Sequence, residues 1–573
     1  MRSLVANRPL LGAAICLGIG IHMGVMAHSS PWVWATLSIA IALGWLGFPR
    51  WREKGSFVIA CLLIAVLGAL LSTIPRTQMR HLQERLAPME GRAVNVRGMV
   101  SGTGRWSRWG WQIPLRVEFV NNHKITAFES DWRLPVTESP PAPGTLIQMN
   151  GRWKRVPLEQ VPNRQERDGL CGRMSAEQWH AIGRVVTING LLFDGKRRLE
   201  GIGERTLSRE SAEVLHGMAY NEPIRDSDRI ESFQRTGLIH ILSVGGLHIG
   251  FLAVLLVGVG SLLRIPRKGI YYGVLFILPL FIIMVGAEPP AVRAGIMSGL
   301  VILGFLLERP VDGVNLWGAA ALSVLLFKPL DLYDLGFQLS FGAAGSILWL
   351  FPIWRRAVPM RWRPFADPVI LSLTAQVGVL PLLALYFGVF PWVGLLANIV
   401  IIPLSTIAVQ LGLAAEVLGM LWNPLAMILN TSNELILHGI IGVIRWFSDW
   451  GTPFALPLFN EWGVLLYYLG IFAIAKLREV NPITHQYRIP QWIQLAILAI
   501  LVSLGAGWVL AQAPPDHLRV EVIDVGQGDS ILLTAPGGKR LLIDGGPGES
   551  FKSSLRLFLR RRMITRLDKV VLT

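Results

Sequence analysis

Cysteine is scarce, with three in 573 residues. Cys16 and Cys61 fall in apolar runs and Cys171 stands alone in the polar part, which excludes a disulfide-stapled soluble scaffold. Charge is also sparse, at 16% of residues, and acidic side chains are outnumbered 38 to 54 by Lys and Arg. No G-x-x-x-x-G-K-[ST] loop occurs, which excludes a P-loop motor within this sequence.

Apolar length is what the chain has instead. Hydrophobic residues make up 52%, there are 21 Trp, and the mean hydropathy is +0.47. Stretches of about 17–25 mostly apolar residues recur roughly a dozen times, which predicts a polytopic α-helical membrane protein. Three such runs fill residues 1–75, and residues 2–26 read as a retained helix rather than a signal peptide because two more runs follow closely. Residues 91–201 alternate in short runs such as RAVNVRGMV and WQIPLRVEFV between Gly, Pro and Asn turns. That pattern predicts an inserted β domain of about five strands, a small barrel with an OB-type Greek key as the leading candidate. Residues 206–235 predict an amphipathic helix on the membrane surface. A second block of spans occupies 236–512, and 517–573 is β-rich again. With the spans alternating, the basic short loops gather on one side, so both β-rich parts are predicted outside the cytoplasm. The net charge of +16 is then largely a topology signal.

Polar atoms inside the apolar block carry the functional reading. Residues 236–250, TGLIHILSVGGLHIG, place His240, Ser243 and His248 around Gly245 and Gly246. Ionisable groups are costly at bilayer depth, so this segment suits either a packing seam or a polar path. Residues 287–297 put a diproline ahead of a helix, with Glu288 and Arg293 close enough to pair. Gln338, Gln376, Asn398, Gln410 and Glu416 add polar atoms to later spans. Glu434 and His438 are one helical turn apart, but two ligands make no metal site, and a structural hydrogen bond is expected. In residues 102–112 Arg105 and Arg108 alternate with Trp106, Trp109 and Trp111, a mixture that suits single-stranded nucleic acid and a lipid headgroup interface equally. Asp524, Asp529 and Asp544 sit at predicted strand ends, where they could support a metal or be ordinary turn residues.

Five motifs occur in order: RTGLIHILSVGGLHIG (235–250), PPAVRAGIM (289–297), GFQLSF (336–341), residues 375–405, and VIDVGQGDSILL with LLIDGG (522–546). Together they resemble the ComEC family of competence proteins, inner-membrane channels for DNA uptake. The resemblance implies a channel in the bacterial plasma membrane that passes one DNA strand inward during natural competence. His240, Ser243, Gly245, Gly246, His248, Arg293, Gln338, Gln376 and Asn398 are the expected lining. Arg105, Trp106, Arg108, Trp109 and Trp111 are the expected external DNA contacts. It further implies an OB-like external domain and a C-terminal metallo-β-lactamase-like domain proposed to degrade the other strand. Its implied partners are a competence pilus and DNA-receptor proteins outside, cytosolic DNA-processing proteins, membrane lipid and further copies of itself.

Gly245 stands where the family pattern leads one to expect Ser. Residues 568–573 stop where the resemblance implies that the family's His-x-His-x-Asp-His zinc motif would begin, and no such cluster occurs elsewhere among the 11 histidines, so an incomplete α/β metallo-β-lactamase-like segment is expected, truncated and unable to complete a nuclease site. No cofactor is therefore expected in this chain, whereas a complete domain would imply zinc or manganese. Two other readings stand beside the channel: a small-solute secondary transporter, and a membrane-tethered zinc-dependent hydrolase or nuclease.

Overall fold

The computed structural model describes residues 9–471 and 516–572, apart from 28–29, 48–55, 108–109, 122, 135–139, 157, 160, 225, 243–244, 288, 309–311, 451–453, 457–462, 526–527, 547–554, 556–557, 560–561, 563 and 565. It divides into two units. The first comprises Met1–Glu231, Ile239–Phe341 and Val400–Val443; the second comprises Ser232–Leu238, Gly342–Ile399 and Ile444–Thr573.

In the first unit, helices α1 (Pro9–Ala27), α2 (Pro31–Gly47) and α3 (Ser56–Leu86) open the chain. Lipid gives apolar helices little hydrophobic reason to associate, so close backbone packing holds them. A side chain at Gly20 would overlap the Ala65 carbonyl of α3, and one at Gly68 would overlap the Leu17 carbonyl of α1. At 31 residues and about 1.5 Å per residue, α3 is longer than the ~30 Å hydrocarbon core. Its last turns enter the β domain. Met79 and Leu86 join the β core, and Gln83 Nε2 donates to the carbonyls of Val156 (2.8 Å) and Cys171 (2.9 Å).

The β domain contains β1 (Ala93–Val100), β2 (Arg105–Ser107), β3 (Gly110–Val120), β4 (His123–Leu134), β5 (Thr145–Arg155) and β6 (Leu170–Arg184). Strand order is β1-β5-β6-β4-β3-β2, and β1 pairs with β3 as well as with β5. The β4–β6 pairing is parallel. Period-two alternation turns Ile113, Leu115 and Val117 inward around Trp132, all fully buried.

Two expectations change here. Residues 185–201, read as the end of the β stretch, are mostly helical: β6 stops at Arg184 and α4 runs Ile188–Thr206. Thr187 caps it, its Oγ1 accepting from Gly190 N at 3.0 Å, and the charges from Asp194 to Glu204 recur at helical rather than strand spacing. Residues 206–235, expected as one surface helix, form two, α5 (Arg209–Tyr220) and α6 (Ser227–Arg235). Asn221, at φ +62°, ends α5 in the left-handed conformation. Leu215, Met218 and Tyr220 are fully buried, so α5 is an interior helix.

Then come α7 (Gly246–Leu262), α8 (Arg267–Met284), α9 (Pro289–Leu306), α10 (Gly313–Phe327), α11 (Leu335–Arg356), α12 (Arg363–Tyr386), α13 (Val393–Gly419) and α14 (Asn423–Asp449). Among the described residues seven helices are long and apolar enough to cross a membrane, and four apolar helices are shorter. The span expected at 492–511 lies outside the described residues.

In the second unit, α12 carries Pro381, which has no N–H to offer the Val377 carbonyl one turn back. Tyr467 Oη donates to that carbonyl at 2.9 Å, and Tyr468 Oη donates to the Gly378 carbonyl at 2.7 Å. Tyr467→Phe is expected to leave the carbonyl unpaired at a cost of about 1–3 kcal/mol, read as a lower apparent Tm of the purified protein; an unchanged Tm would mean that water or lipid headgroups serve the carbonyl instead. The C-terminal part forms a four-stranded sheet of β7 (Arg519–Val522), β8 (Ile531–Thr534), β9 (Arg540–Ile543) and β10 (Lys569–Val571), with β10 parallel to β9.

Candidate functional site

The glycine pair of 236–250 positions His248. Gly245 is extended and precedes α7, and its N–H donates to His248 Nδ1 at 3.4 Å. His248 is buried, whereas His240 is exposed on a one-turn 3-10 segment, Ile239–Ile241. Gly246 is exposed, and a Cβ there would meet nothing nearer than Ala294 Cβ at 4.0 Å. Ser243 lies outside the described residues.

Arg293 is 2% exposed in α9, an apolar helix. Its expected partner, Glu288, lies outside the described residues; among the described residues Asp334 forms an ion pair with it, Nη1 lying 3.7 Å from Oδ1, and Asp331 adds a second nearby carboxylate. Asp334 works in three directions: Oδ1 also accepts from Phe337 N at 2.8 Å, capping α11, and Oδ2 accepts from Arg167 Nη2 at 3.1 Å. Gly336 leaves the room this needs, since a Cβ there would stand 2.9 Å from Asp334 Oδ1 and 3.4 Å from Arg293 Nη2. Arg293 Nε and Nη1 have no hydrogen-bond partner among the described residues. Gln338 Nε2 donates to the Leu332 carbonyl at 3.1 Å, so Arg293 and Gln338 meet the same turn. Gln376 and Asn398 belong to the second unit; Asn398 Nδ2 lies 3.5 Å from Ser372 Oγ, and Asn398 Oδ1 and Gln376 Oε1 lack partners among the described residues.

Of the basic and aromatic loop, Arg105 Nη1 donates to Asp168 Oδ2 at 2.9 Å. Trp111 is 5% exposed and belongs to the β core, so it offers no open stacking face. Arg108, Trp109 and the Trp106 side chain lie outside the described residues. A cavity of about 400 Å³ nevertheless opens beside this loop, lined among others by Arg105, Trp111, Arg164, Phe193, Lys196 and Arg197.

Beneath it lies a buried charge cluster that the sequence reading did not assemble. Lys196 Nζ is 2.5 Å from Glu222 Oε1 and 3.6 Å from Glu200 Oε1. Glu416 of α13, fully buried, accepts from the Tyr220 hydroxyl and lies 3.0 Å from His216 Nε2. Burial pushes the Tyr220 hydroxyl well above its usual range. Burial opposes the charge on His216, but the hydrogen bond and charge of Glu416 outweigh it and raise the imidazole above its ordinary value.

Desolvation raises Glu200 from 4.5 to about 7, partly offset by Lys196. The folded form therefore holds this proton more tightly than the unfolded chain, so the contribution to stability is complete below 4.5 and is lost as pH rises through about 7. Glu200→Gln is expected to flatten the fall in Tm between pH 5 and about pH 8; an equally steep fall in the variant would show that another group is responsible.

Glu434 accepts from Ser208 Oγ (2.6 Å), Ser211 Oγ (2.8 Å) and Ser208 N (3.2 Å), with His438 Nδ1 at 3.1 Å. It anchors the N-terminus of α5, the structural role expected. Asp544 is left-handed at φ +51°, its N–H donating to the Val571 carbonyl at 2.8 Å and its carbonyl accepting from Ser530 Oγ at 3.1 Å. Neither Asp524 nor Asp529 joins it in a metal-type constellation, and no group of three or more His, Cys, Asp or Glu suited to a metal occurs among the described residues.

Residues 225–481, which contain α7 to α14 and every expected lining residue, match the family described as Competence protein. The chain is 27% identical over 366 residues to ComE operon protein 3 of Bacillus subtilis, covering 61% of this chain and 46% of that protein. It is 26% identical over 363 residues to Competence protein ComA of Neisseria gonorrhoeae, covering 60% and 47%. With Recombination protein 2 of Haemophilus influenzae the identity is 26% over 466 residues, covering 70% and 56%. The chain spans about half the length of the curated relatives it matches. No solved structure matches it. Ordered motifs, a matched helical block and, among the described residues, seven helices of spanning length make this a multi-pass membrane protein whose residues 225–481 match the competence-protein family and whose relatives include competence proteins.

Proposed function

We propose that the chain is an inner-membrane channel for transforming DNA, passing a single strand towards the cytoplasm. The observation that carries this reading is Arg293, a guanidinium buried within the competence-family block whose Nε and Nη1 make no hydrogen bond among the described residues, Nη1 having only the longer ion pair of 3.7 Å to Asp334. A buried cation costs several kcal/mol unless paired, and the oxygens of a passing phosphodiester would supply what Asp334 alone does not. The β domain is read as an OB-type barrel outside the cytoplasm. Supporting this are the pairing of β1 with both β3 and β5 and the parallel β4–β6 pair, an arrangement suited to single strands.

A pilus and receptor proteins would deliver DNA outside, and cytosolic strand-handling proteins would receive it; lipid and further copies of the chain complete the expected partners. Driving force would come from such a partner or from a gradient. The C-terminal sheet is read as the start of a metallo-β-lactamase-like domain. Its acids Asp524, Asp529 and Asp544 do not gather into a ligand set for zinc or manganese, so no hydrolytic step is assigned to them.

The test is complementation. Transformable cells lacking their own channel, given this chain, should take up labelled DNA into a nuclease-protected pool. A properly inserted protein that restores none would overturn the proposal.

A further inference from the structure

We propose that the cavity walled by β2, β3 and α4 is a binding chamber for one phosphate-bearing nucleotide, taken either free or as one unit of a single strand. The inference rests on the DNA-handling reading above and adds where, and by which groups, a unit is held.

Its cations are graded by depth. The side chains of Arg164 and Arg197 are 60% and 46% exposed, that of Arg105 is 34% exposed, and that of Lys196 on the floor is 5% exposed. An entering phosphate would meet the exposed charges first, Arg164 beside Asp168 at 3.8 Å and Arg197 beside Glu200 at 3.4 Å, and the buried charge last. Asp168 holds Arg105 at 2.9 Å and Glu222 holds Lys196 at 2.5 Å, so these cations are positioned beforehand. Arg197 lies over the Phe193 ring at 5.5 Å, a planar pair on which a base can stack. Asn221, also in the lining, offers an amide, a group that recognises base edges. The volume of about 400 Å³ is near the lower end of the ~300–1,000 Å³ typical of small-ligand sites, which fits one nucleotide and excludes a duplex.

The experiment is titration of the full chain in detergent with thymidine 5′-monophosphate, inorganic phosphate and thymidine, followed by calorimetry. The monophosphate should bind at one site per chain, phosphate more weakly and thymidine weakest. Arg164→Ala with Arg197→Ala should weaken the monophosphate at least about tenfold and reduce the log-log salt slope for a thymidine oligomer by about 1.4, two contacts at about 0.7 each. Arg116→Ala, on β3 and away from the cavity, should leave the monophosphate unaffected, and Arg197→Lys should be intermediate, which separates site loss from misfolding. Monophosphate affinity unchanged in the double variant, or no saturable binding to the parent chain, would overturn the chamber. That failure with DNA uptake intact would leave the channel reading standing, and lost uptake with monophosphate binding intact would remove the channel alone.

Discussion

Glu416→Ala should destabilise the protein by about 3–5 kcal/mol, the cost of breaking a buried charge pair by removing one partner. Glu416 is fully buried and serves both the Tyr220 hydroxyl and His216, which are themselves almost wholly buried and have no water to turn to. The packing is tight enough that Gly203 is required beside it: a Cβ at Gly203 would stand 2.6 Å from Glu416 Oε1. Glu416→Gln keeps the volume and one acceptor, so its loss should be smaller. A double-mutant cycle with Tyr220→Phe should show coupling of at least about 0.5 kcal/mol. The comparison is Glu434→Ala, which removes a helix-cap contact and should cost about 0.5–2 kcal/mol. Apparent Tm values of purified variants measure both, and a Glu416→Ala loss no larger than that of Glu434→Ala would refute the account of this cluster.

Arg293→Ala should lower DNA uptake at least about tenfold without loss of membrane insertion. A charge-assisted hydrogen bond to phosphate is worth about 1.5–3 kcal/mol, and about 1.4 kcal/mol is tenfold. Arg293→Lys should recover part of the activity, because a single ammonium lacks the planar fork of donors that grips two phosphate oxygens. Arg361, exposed between α11 and α12, is the control, and its alanine variant should transport normally. Equal uptake by Arg293→Ala and the parent chain would remove Arg293 from the path.

Much of the architecture was legible because membranes and strands impose simple periods. Long apolar runs predicted the spans, and alternation predicted the strands of the β domain. Alternation also contained a warning about Trp111, which shares its inward parity with Ile113, Leu115 and Val117; reading the loop as a basic and aromatic interface overlooked it. Residues 188–201 read as strand because VVTI favours one, while the charge spacing just beyond it and the Thr187 cap favour the helix that forms.

Long-range pairing was not legible. His216 and Glu416 are 200 residues apart, and nothing local to either names the other. Arg293 illustrates the same limit: the fold brings Asp334 to it, an acid 41 residues away that shows in the sequence only as the residue before an apolar helix.

The most direct measurement places a photo-crosslinking amino acid at single positions of the inserted protein during uptake of labelled DNA. Position 338, at the turn that Arg293 also meets, should crosslink to the incoming strand, whereas Leu303 and Phe305, exposed on α9, should not. Crosslinks absent from 338 while uptake proceeds, or equally strong at 303 and 305, would contradict a strand path along these helices.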